Sequence, residues 1–497
     1  MKKKIFIFQQ REWSIRIGDY LGEKLFKENY QLGCLTFKRS VHITIKNNPN
    51  VKYDTIISHD DYLENPNDYI ADKSFTIEDL CKELNIDSIW PIIQSARHHV
   101  KNFNKKYYYS FSQNKSDKEI EDYVISLFFL CKKVEKEFNP AIIFAPNFVS
   151  LPHIIFNLYF KKKKIKMIAV ADSKVGYQQI FVEDYLDESG YFQDYLNELE
   201  KGNTKIKKIS KIKKFISNYN KGKVSYLKTL DPINIKIEIK NLLRTILLLY
   251  RSIFYKDINH IKNLGYSIDS QKPLLIIRNY LSDIRNRLLE KFIKYDDFKS
   301  KYEYAYMPIQ AQPESSIDVQ SVNFSNQLET ARKIAMNLPG RMKLYVKDHP
   351  FMYGLRSYSY LKKLQNTPNI KLIDFRIDSK KIIKNSSMMI CATGTTIFQA
   401  ALIKKPCIML GKTGTLKKLP NVFINKNFNK LTKQIIEIKG FKFKKKEYDK
   451  KMYNYIEASF QTGFDNNYVQ IWEKNINSNL QLICDKIIGE IKRNFRN

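Results

Sequence analysis

The 497-residue sequence lacks the marks of a secreted or membrane-spanning protein. No apolar run approaches the length of a membrane-spanning helix. The apolar run at residues 5–8 is too short for a signal peptide and is followed by polar residues, so it predicts a first β-strand. No C-x-x-C pair occurs, and several cysteines lie in apolar segments. We therefore expect a cytoplasmic protein with reduced cysteines at Cys34, Cys81, Cys131, Cys391, Cys407 and Cys484.

Metal-binding patterns are also missing, and acidic residues are few. The seven histidines show no metal-ligand spacing, since His98 and His99 are adjacent rather than one helical turn apart. Asp and Glu number 51 against 85 Lys and Arg, a net charge of +34. Such an excess favours anionic partners, although lysine could equally be the ordinary surface residue of this protein. No nucleic-acid-binding module is recognisable, so we do not expect a nucleic-acid partner.

The chain is too long for a single hydrophobic core, and its pattern predicts two Rossmann-like domains of the α/β class. Short apolar strands alternate with helix patterns in both halves, as in parallel sheets. The run at 273–278 reads as the first strand of the second domain, and the lysine-rich stretch 202–223 reads as a linker. The expected division is 1–200 for the first domain, 201–270 for a basic linker and helical insertion, 271–440 for the second domain, and 441–497 for C-terminal helices that pack back on the first domain.

The helical insertion has a strongly apolar face. Residues 234–261 predict a long helix or helical hairpin in which leucines, isoleucines and a tyrosine lie beside Lys240, Arg244 and Arg251. One interpretation is contact with a membrane surface. The other, which we expect, is a helix buried between the two domains.

The stretch 344–411 predicts the most informative part of the second domain. A strand ends in the polar tetrad 347–350, and a later strand leads into the loop Ala392–Thr396 and an apolar helix. Backbone N–H groups of such a loop and the helix N-terminus can bind phosphate. Thr395 or Thr396 is expected to cap the helix with its side-chain oxygen. In the first domain, Asp172 follows a buried strand, where it either enters the ligand crevice or forms a turn.

Several short motifs, taken together and in order, resemble one protein family. They are Gln312–Ser316, Lys347–Pro350 with Gly354 and Arg356, Asp378-Ser379, Thr393–Thr395, Lys405-Pro406 and Gly411. Over residues 273–419 the set resembles bacterial capsule and surface-polysaccharide biosynthesis proteins related to Kdo transferases. The family usually has glutamate where this chain has Asp348.

The resemblance implies a GT-B architecture, in which two Rossmann-like domains face a cleft. The first domain would bind a glycan or glycolipid acceptor and the second a sugar nucleotide. It implies a glycosyltransferase of capsule or lipopolysaccharide biosynthesis, which takes an acidic, Kdo- or sialic-acid-like sugar from a CMP-linked donor. Such a donor carries its own leaving group, so no metal or other cofactor is required. The enzyme would work in the cytoplasm, with peripheral contact at the inner face of the cytoplasmic membrane.

Residue roles follow from that resemblance and from the chemistry of the leaving phosphate. The two expected catalytic residues are His349, as donor of a hydrogen bond or proton to the phosphate, and Asp172, as base or nucleophile. Transfer with inversion and transfer with retention of the configuration of the sugar both remain open. The expected donor-binding residues are Gln312, Glu314, Lys347, Pro350, Arg356, Thr393, Gly394, Thr395 and Thr396.

Three other functions fit the same pattern. A CDP-polyol phosphotransferase and a UDP-sugar epimerase would keep the fold and change the chemistry. A non-catalytic partner in polysaccharide assembly or export is the third, and the presence of Glu314, His349 and Thr395 argues against it.

Overall fold

A computed structural model describes residues 2–101, 113–222, 239–255, 257–265, 271–298, 302–411, 414–465 and 477–496. Two β-sheets organise these residues. The first is a seven-stranded sheet in the order β13-β6-β5-β4-β1-β2-β3, which is parallel except at β6 and β13. Its strands are β1 (Lys4–Gln10), β2 (Gln31–Phe37), β3 (Thr55–Ser58), β4 (Ile142–Ala145), β5 (Lys166–Asp172), β6 (Gln178–Val182) and β13 (Phe464–Asp465).

The second sheet is six-stranded and parallel throughout, in the order β12-β11-β10-β7-β8-β9. Its strands are nearly all buried on both faces, which explains their continuous apolar sequence. They are β7 (Tyr304–Pro308), β8 (Lys343–Lys347), β9 (Ile370–Ile373), β10 (Met388–Cys391), β11 (Cys407–Met409) and β12 (Val422–Ile424). The two sheets confirm the prediction of an α/β protein with two Rossmann-like domains.

Helices cover both sheets. Those of the N-terminal half are α1 (Arg11–Trp13), α2 (Asp19–Lys27), α3 (Arg39–Lys46), α4 (His59–Glu64), α5 (Ile77–Leu84), α6 (Trp90–Ile93), α7 (Arg97–Val100), α8 (Asp117–Glu137), α9 (Leu151–Lys162), α10 (Tyr191–Lys201) and α11 (Ile209–Asn220). The middle of the chain forms α12 (Ile239–Phe254) and α13 (Pro273–Glu290). The remaining helices are α14 (Ser315–Asp318), α15 (Gln327–Met336), α16 (Tyr358–Gln365), α17 (Ser379–Asn385), α18 (Thr395–Leu402), α19 (Leu431–Lys439), α20 (Lys445–Thr462) and α21 (Asn477–Asn494).

Two predicted elements are wrong. The run 273–278 begins helix α13 and is not a strand, because Pro273 occupies the first turn, where its missing N–H costs nothing. A short apolar run does not by itself distinguish a strand from a helix. The stretch expected to be a linker contains α11, which packs against α20 with the rings of Phe215 and Phe460 6.1 Å apart; residue 223 lies outside the described residues.

The chain returns to the first sheet after completing the second. Helix α20 packs against α10 and β6, and β13 pairs with β6 in antiparallel orientation. Helix α21 then contacts α2. Among the described residues, no helix is both long and apolar enough to span a bilayer.

Candidate functional site

Three loops of the second sheet emerge side by side. Strands β10, β7 and β8 are adjacent and parallel, so the segments that follow Cys391, Pro308 and Lys347 share one edge of the sheet. Ligands of such sheets bind at the carboxyl ends of the strands. The predicted donor-binding residues at 312–314, 347–350 and 393–396 lie in or directly beside these three segments.

Hydrogen bonds tie the three segments together. Arg356 donates from Nε to Oδ1 of Asp348 at 2.8 Å and from Nη2 to the carbonyl of Gln310 at 2.6 Å. Gln310 in turn donates from Nε2 to the carbonyl of Thr393 at 3.1 Å. The segment that carries His349 and the threonine turn therefore lie at the same edge, with Gln310 between them.

The imidazole of His349 is held in one orientation. Its Nδ1 accepts a hydrogen bond from the N–H of Phe351 at 3.3 Å, in the short 3₁₀ turn that starts at Pro350. Burial, together with the charges of Lys347 and Arg356, lowers the pKa of His349 to about 4. The ring is therefore neutral at pH 7, and because Nδ1 is the acceptor, Nε2 carries the proton. His349 is ready to donate a hydrogen bond from Nε2.

The threonine turn leads into α18 without a side-chain cap. Gly394 is the N-cap residue, with φ +117°, and neither Thr395 nor Thr396 caps the helix. The predicted threonine cap is therefore wrong, because both threonines already lie within the first helical turn. The hydroxyl oxygen of Thr396 is buried and has no hydrogen-bond partner among the described residues. A buried hydroxyl normally has one, and this one lies at a helix N-terminus, where an anion is stabilised.

The two cations of the predicted set are buried and directed at protein oxygens. Lys347 donates from Nζ to the carbonyls of Ile377 at 2.9 Å and Phe375 at 3.4 Å, and burial lowers its pKa to about 8. Arg356 is only 2% exposed. Both side chains brace the loops of the site, and direct contact with a donor remains a prediction for each.

The segment after β7 supplies two further predicted residues. Gln312 donates to the carbonyl of Ser325 at 2.8 Å and accepts from Gln327 at 3.0 Å, so its amide is committed to the protein. Glu314 is exposed at the start of α14 and accepts a hydrogen bond from the hydroxyl of Ser316 at 2.9 Å. Glu314 is therefore the more accessible of the two.

Asp172, the last residue of β5, contacts Lys174. The Nζ of Lys174 lies 3.0 Å from Oδ2 of Asp172, and its backbone N–H donates to Oδ1 at 2.7 Å. Burial opposes the charge of Lys174, but the carboxylates of Asp172, Glu188 and Glu314 together hold its pKa above the ordinary value. Asp172 therefore forms an ion pair with Lys174 at the carboxyl end of β5, and its role as base or nucleophile stays a prediction.

Two carboxylates join the domains directly, and neither was predicted from a sequence pattern. Glu188 accepts hydrogen bonds from the backbone and hydroxyl of Thr415, each at 2.8 Å, and from Gln320 at 2.9 Å. Asp318 is completely buried and pairs with Arg97 at 3.3 Å and with Lys101 at 3.6 Å.

A cavity of about 140 Å³ lies at the carboxyl ends of β1, β2 and β3 and at the N-terminus of α9. Three cations line it, Arg11, Lys38 and Arg97, with one carboxylate, Asp60. His99 also lines the cavity; it is 2% exposed, and no described residue forms a hydrogen bond with its Nδ1. The cavity is therefore suited to an anionic group.

Comparisons with solved structures return remote matches. KpsC, a beta-Kdo 2,7-transferase of Thermosulfurimonas dismutans, shares 10% identity over 74% of this chain and 94% of its own, with a TM-score of 0.31. A UDP-GlcNAc 2-epimerase of Neisseria meningitidis bound to UDP-GlcNAc shares 12% identity over 98% and 100%, with a TM-score of 0.21. Scores this low add nothing to the fold assignment, which rests on the two sheets. No curated protein sequence matches the chain.

A family model does match part of the sequence. Residues 235–414, from just before α12 to the segment after β11, match the model described as capsule polysaccharide biosynthesis protein. The matched part includes the three site loops and the threonine turn. For residues 235–414, the match confirms the resemblance to capsule polysaccharide biosynthesis proteins that the sequence motifs indicated.

Proposed function

We propose that the protein is a glycosyltransferase of capsule or lipopolysaccharide biosynthesis. It takes an acidic, Kdo- or sialic-acid-like sugar from a CMP-activated donor and transfers it to a growing surface glycan. The observation that carries the proposal is the placement of His349 and the Thr393–Thr396 turn at one sheet edge, joined through Gln310. The family match of residues 235–414 supports it.

The chemistry requires hydrogen-bond donors at the leaving phosphate. As the bond between sugar and phosphate breaks, negative charge grows on CMP, and fixed donors stabilise that charge. The Nε2–H of His349, the hydroxyl of Thr396 and the free N–H groups at the start of α18 supply them. As the phosphate gains charge, the pKa of His349 rises, so the imidazole can share its proton with the leaving group.

On the other domain, Asp172 serves as base or nucleophile toward the transferred sugar. The ammonium of Lys174 beside it offsets the carboxylate of an acidic sugar, which would otherwise be repelled by Asp172 and Glu314. Direct inversion and a covalent intermediate on Asp172 both fit this arrangement. The cation-lined cavity at the first sheet receives an anionic part of the glycan or glycolipid acceptor.

Nucleotide binding tests the donor assignment. CMP at 100 times its dissociation constant should stabilise the folded protein by about 2.7 kcal/mol, measured as a rise in melting temperature. A larger rise with UDP or CDP would redirect the proposal to a UDP-sugar enzyme or a CDP-polyol phosphotransferase. No rise with any nucleotide would refute nucleotide-dependent transfer.

The variant Thr396→Val tests the site itself. It removes a hydroxyl that has no partner in the described part of the chain, so folding should be unaffected while CMP binding weakens by about tenfold or more, the value of a hydrogen bond to a charged group. The control Thr367→Val removes an exposed hydroxyl in the same domain, 2.6 Å from the carbonyl of Lys363, and should leave CMP affinity unchanged. Equal affinities in the two variants would contradict the placement of the phosphate.

Catalysis is tested at His349. The variant His349→Ala should lose transfer activity and keep the melting temperature of the parent, because the ring makes a single hydrogen bond within the described protein, from the N–H of Phe351. Full activity in this variant would exclude the imidazole from the reaction.

A further inference from the structure

Helix α12 exposes an apolar surface that the sequence pattern led us to expect in the interior. Eight of its apolar side chains are between 42% and 69% exposed. Seven of them recur at spacings of three, four and seven residues along one side of the helix, and the eighth, Leu248, falls outside that side. The seven are Leu242, Leu243, Ile246, Leu247, Tyr250, Ile253 and Phe254. The expected burial between domains is therefore wrong for α12 over residues 241–254, while Ile261 and Leu264 of the following segment are buried.

Helix α13, against which α12 packs, continues this surface. The hydroxyl of Ser252 donates to the carbonyl of Gln271 at 2.9 Å, which ties the end of α12 to the start of α13. Apolar residues are again exposed on one side of α13 and in the turn after it, with Leu274 reaching 76%. The others are Ile277, Leu281, Leu288 and Phe292.

The charges of α12 have one sign. Residues 239–256 include four basic residues and no acidic one. Of these, Arg244 and Arg251 are exposed and lie seven residues apart, so both follow the same border of the apolar side. Arg285 is exposed on α13.

The acidic residues of α13 do not offset these charges at the surface. Asp283 pairs with Arg287 at 3.0 Å. Glu290 is buried and accepts a hydrogen bond from Tyr295 at 2.6 Å.

From these observations we propose that α12 and α13 form a lipid-binding face, which lies in the headgroup layer of an anionic bilayer with its apolar side toward the acyl chains. Exposed apolar residues bordered by arginine are the pattern of interfacial helices. A second copy of the chain is the less suitable occupant, because a symmetric contact would set these cations against each other.

The proposal rests on the proposed function for its acceptor, and it connects the membrane contact expected from the sequence resemblance to the acceptor cavity. The segment 257–265 follows Lys256; its residues Asn259, Ile261, Leu264 and Gly265 line the cavity, and it is hydrogen-bonded to the first domain. Arg39 donates to the carbonyl of His260 at 3.0 Å, and Ser40 donates from its hydroxyl to Asn259 at 2.9 Å. An acceptor attached to a lipid would therefore reach the cavity beside the face that binds the bilayer.

Vesicle flotation of the full-length protein tests the proposal. Vesicles of phosphatidylcholine with one quarter phosphatidylglycerol should carry the protein to the top of the gradient, and vesicles of phosphatidylcholine alone should carry at least tenfold less. The double variant Leu243→Glu/Ile253→Glu changes side chains that are already exposed and should reduce binding at least tenfold. The control Met336→Glu/Ile436→Glu changes exposed apolar residues outside the face and should bind like the parent.

The charge contribution is tested separately. Arg244→Gln/Arg251→Gln should weaken binding to the anionic vesicles by about tenfold or more, from the contribution of basic residues near a charged membrane. Equal binding of parent and Leu243→Glu/Ile253→Glu would overturn the proposal. Failure of the parent protein to bind either kind of vesicle would also overturn it. If the parent were then a dimer by light scattering, and Leu243→Glu/Ile253→Glu dissociated that dimer, a second copy of the chain would be identified as the occupant of the face. CMP binding is measured on the same samples to distinguish failure of the lipid-binding proposal from failure of the proposed transferase function. If the protein does not bind CMP, the flotation result still tests the lipid-binding face.

Discussion

Replacing Arg356 with methionine should strongly destabilise the C-terminal domain. The substitution removes the hydrogen bonds to Asp348 at 2.8 Å and to the carbonyl of Gln310 at 2.6 Å, and the contact of the guanidinium with the ring of Tyr360 at 4.8 Å. Asp348 stays buried without its cation. Breaking a buried pair in this way costs about 3–5 kcal/mol. The measurement is the urea midpoint followed by fluorescence, converted with a common m-value.

The matched control is Arg332→Met, which breaks an ion pair of 2.9 Å with Glu329 on the exposed side of α15. Its expected cost is about 0–1 kcal/mol, typical of solvated pairs. The double variant Asp348→Asn/Arg356→Met should lose less stability than the sum of the single variants, because it leaves no buried charge. An Arg356→Met midpoint no lower than that of the control would refute the bracing role of the pair.

Three further outcomes are expected. Burial lowers the pKa of His99 and of His153 to about 3, while an unfolded histidine titrates near 6.5. Because the unfolded chain then binds more protons, the free energy of unfolding should fall as the pH is lowered from about 6.5 to 4. Urea midpoints that do not change over this pH range would contradict this prediction. Gly354→Ala should lower the urea midpoint more than Gly340→Ala, since both glycines have positive φ but only at Gly354 would a Cβ collide with a neighbour, 2.1 Å from a carboxylate oxygen. Asp318→Asn should cost about 3–5 kcal/mol in the same assay, because two cations of the first domain lose the charge that neutralises them; a cost below that of an exposed pair would exclude a stabilising role for this contact.

Local sequence signals were sufficient for most regular elements. The strands β5, β8 and β10 follow apolar runs bounded by polar residues, as predicted. Helix starts with a specific cap were also predictable: Asp378 accepts from the N–H of Lys380, and Thr76 forms a capping box with Asp79. In each case, the residues that determine the structure are neighbours in the chain.

The arrangement of the site depends on residues distant in sequence and was less predictable. The only sequence feature that pointed to a role for Gln310 in the site was its position directly after an apolar strand. The contact of Gln310 with Thr393 depends on the pairing of β7 with β10. Arg356 was expected either to contact the sugar-nucleotide donor or to lie at the protein surface. It is buried instead, because its guanidinium donates hydrogen bonds to Asp348 and to the carbonyl of Gln310. The exposure of α12 was also not predictable from local sequence. Amphipathic spacing identifies the apolar side of a helix but does not show which part of the molecule covers it.

The return of the chain to its first sheet has a consequence for synthesis on the ribosome. Strand β6 ends at Val182, yet its partner β13 begins at Phe464, after the entire second sheet has been translated. At about 5–20 residues per second, this interval amounts to tens of seconds. During this interval, the edge of β6 is not yet paired with β13, and the apolar side of α10 is not yet covered by α20. The nascent first domain is therefore exposed to aggregation until the last elements leave the exit tunnel.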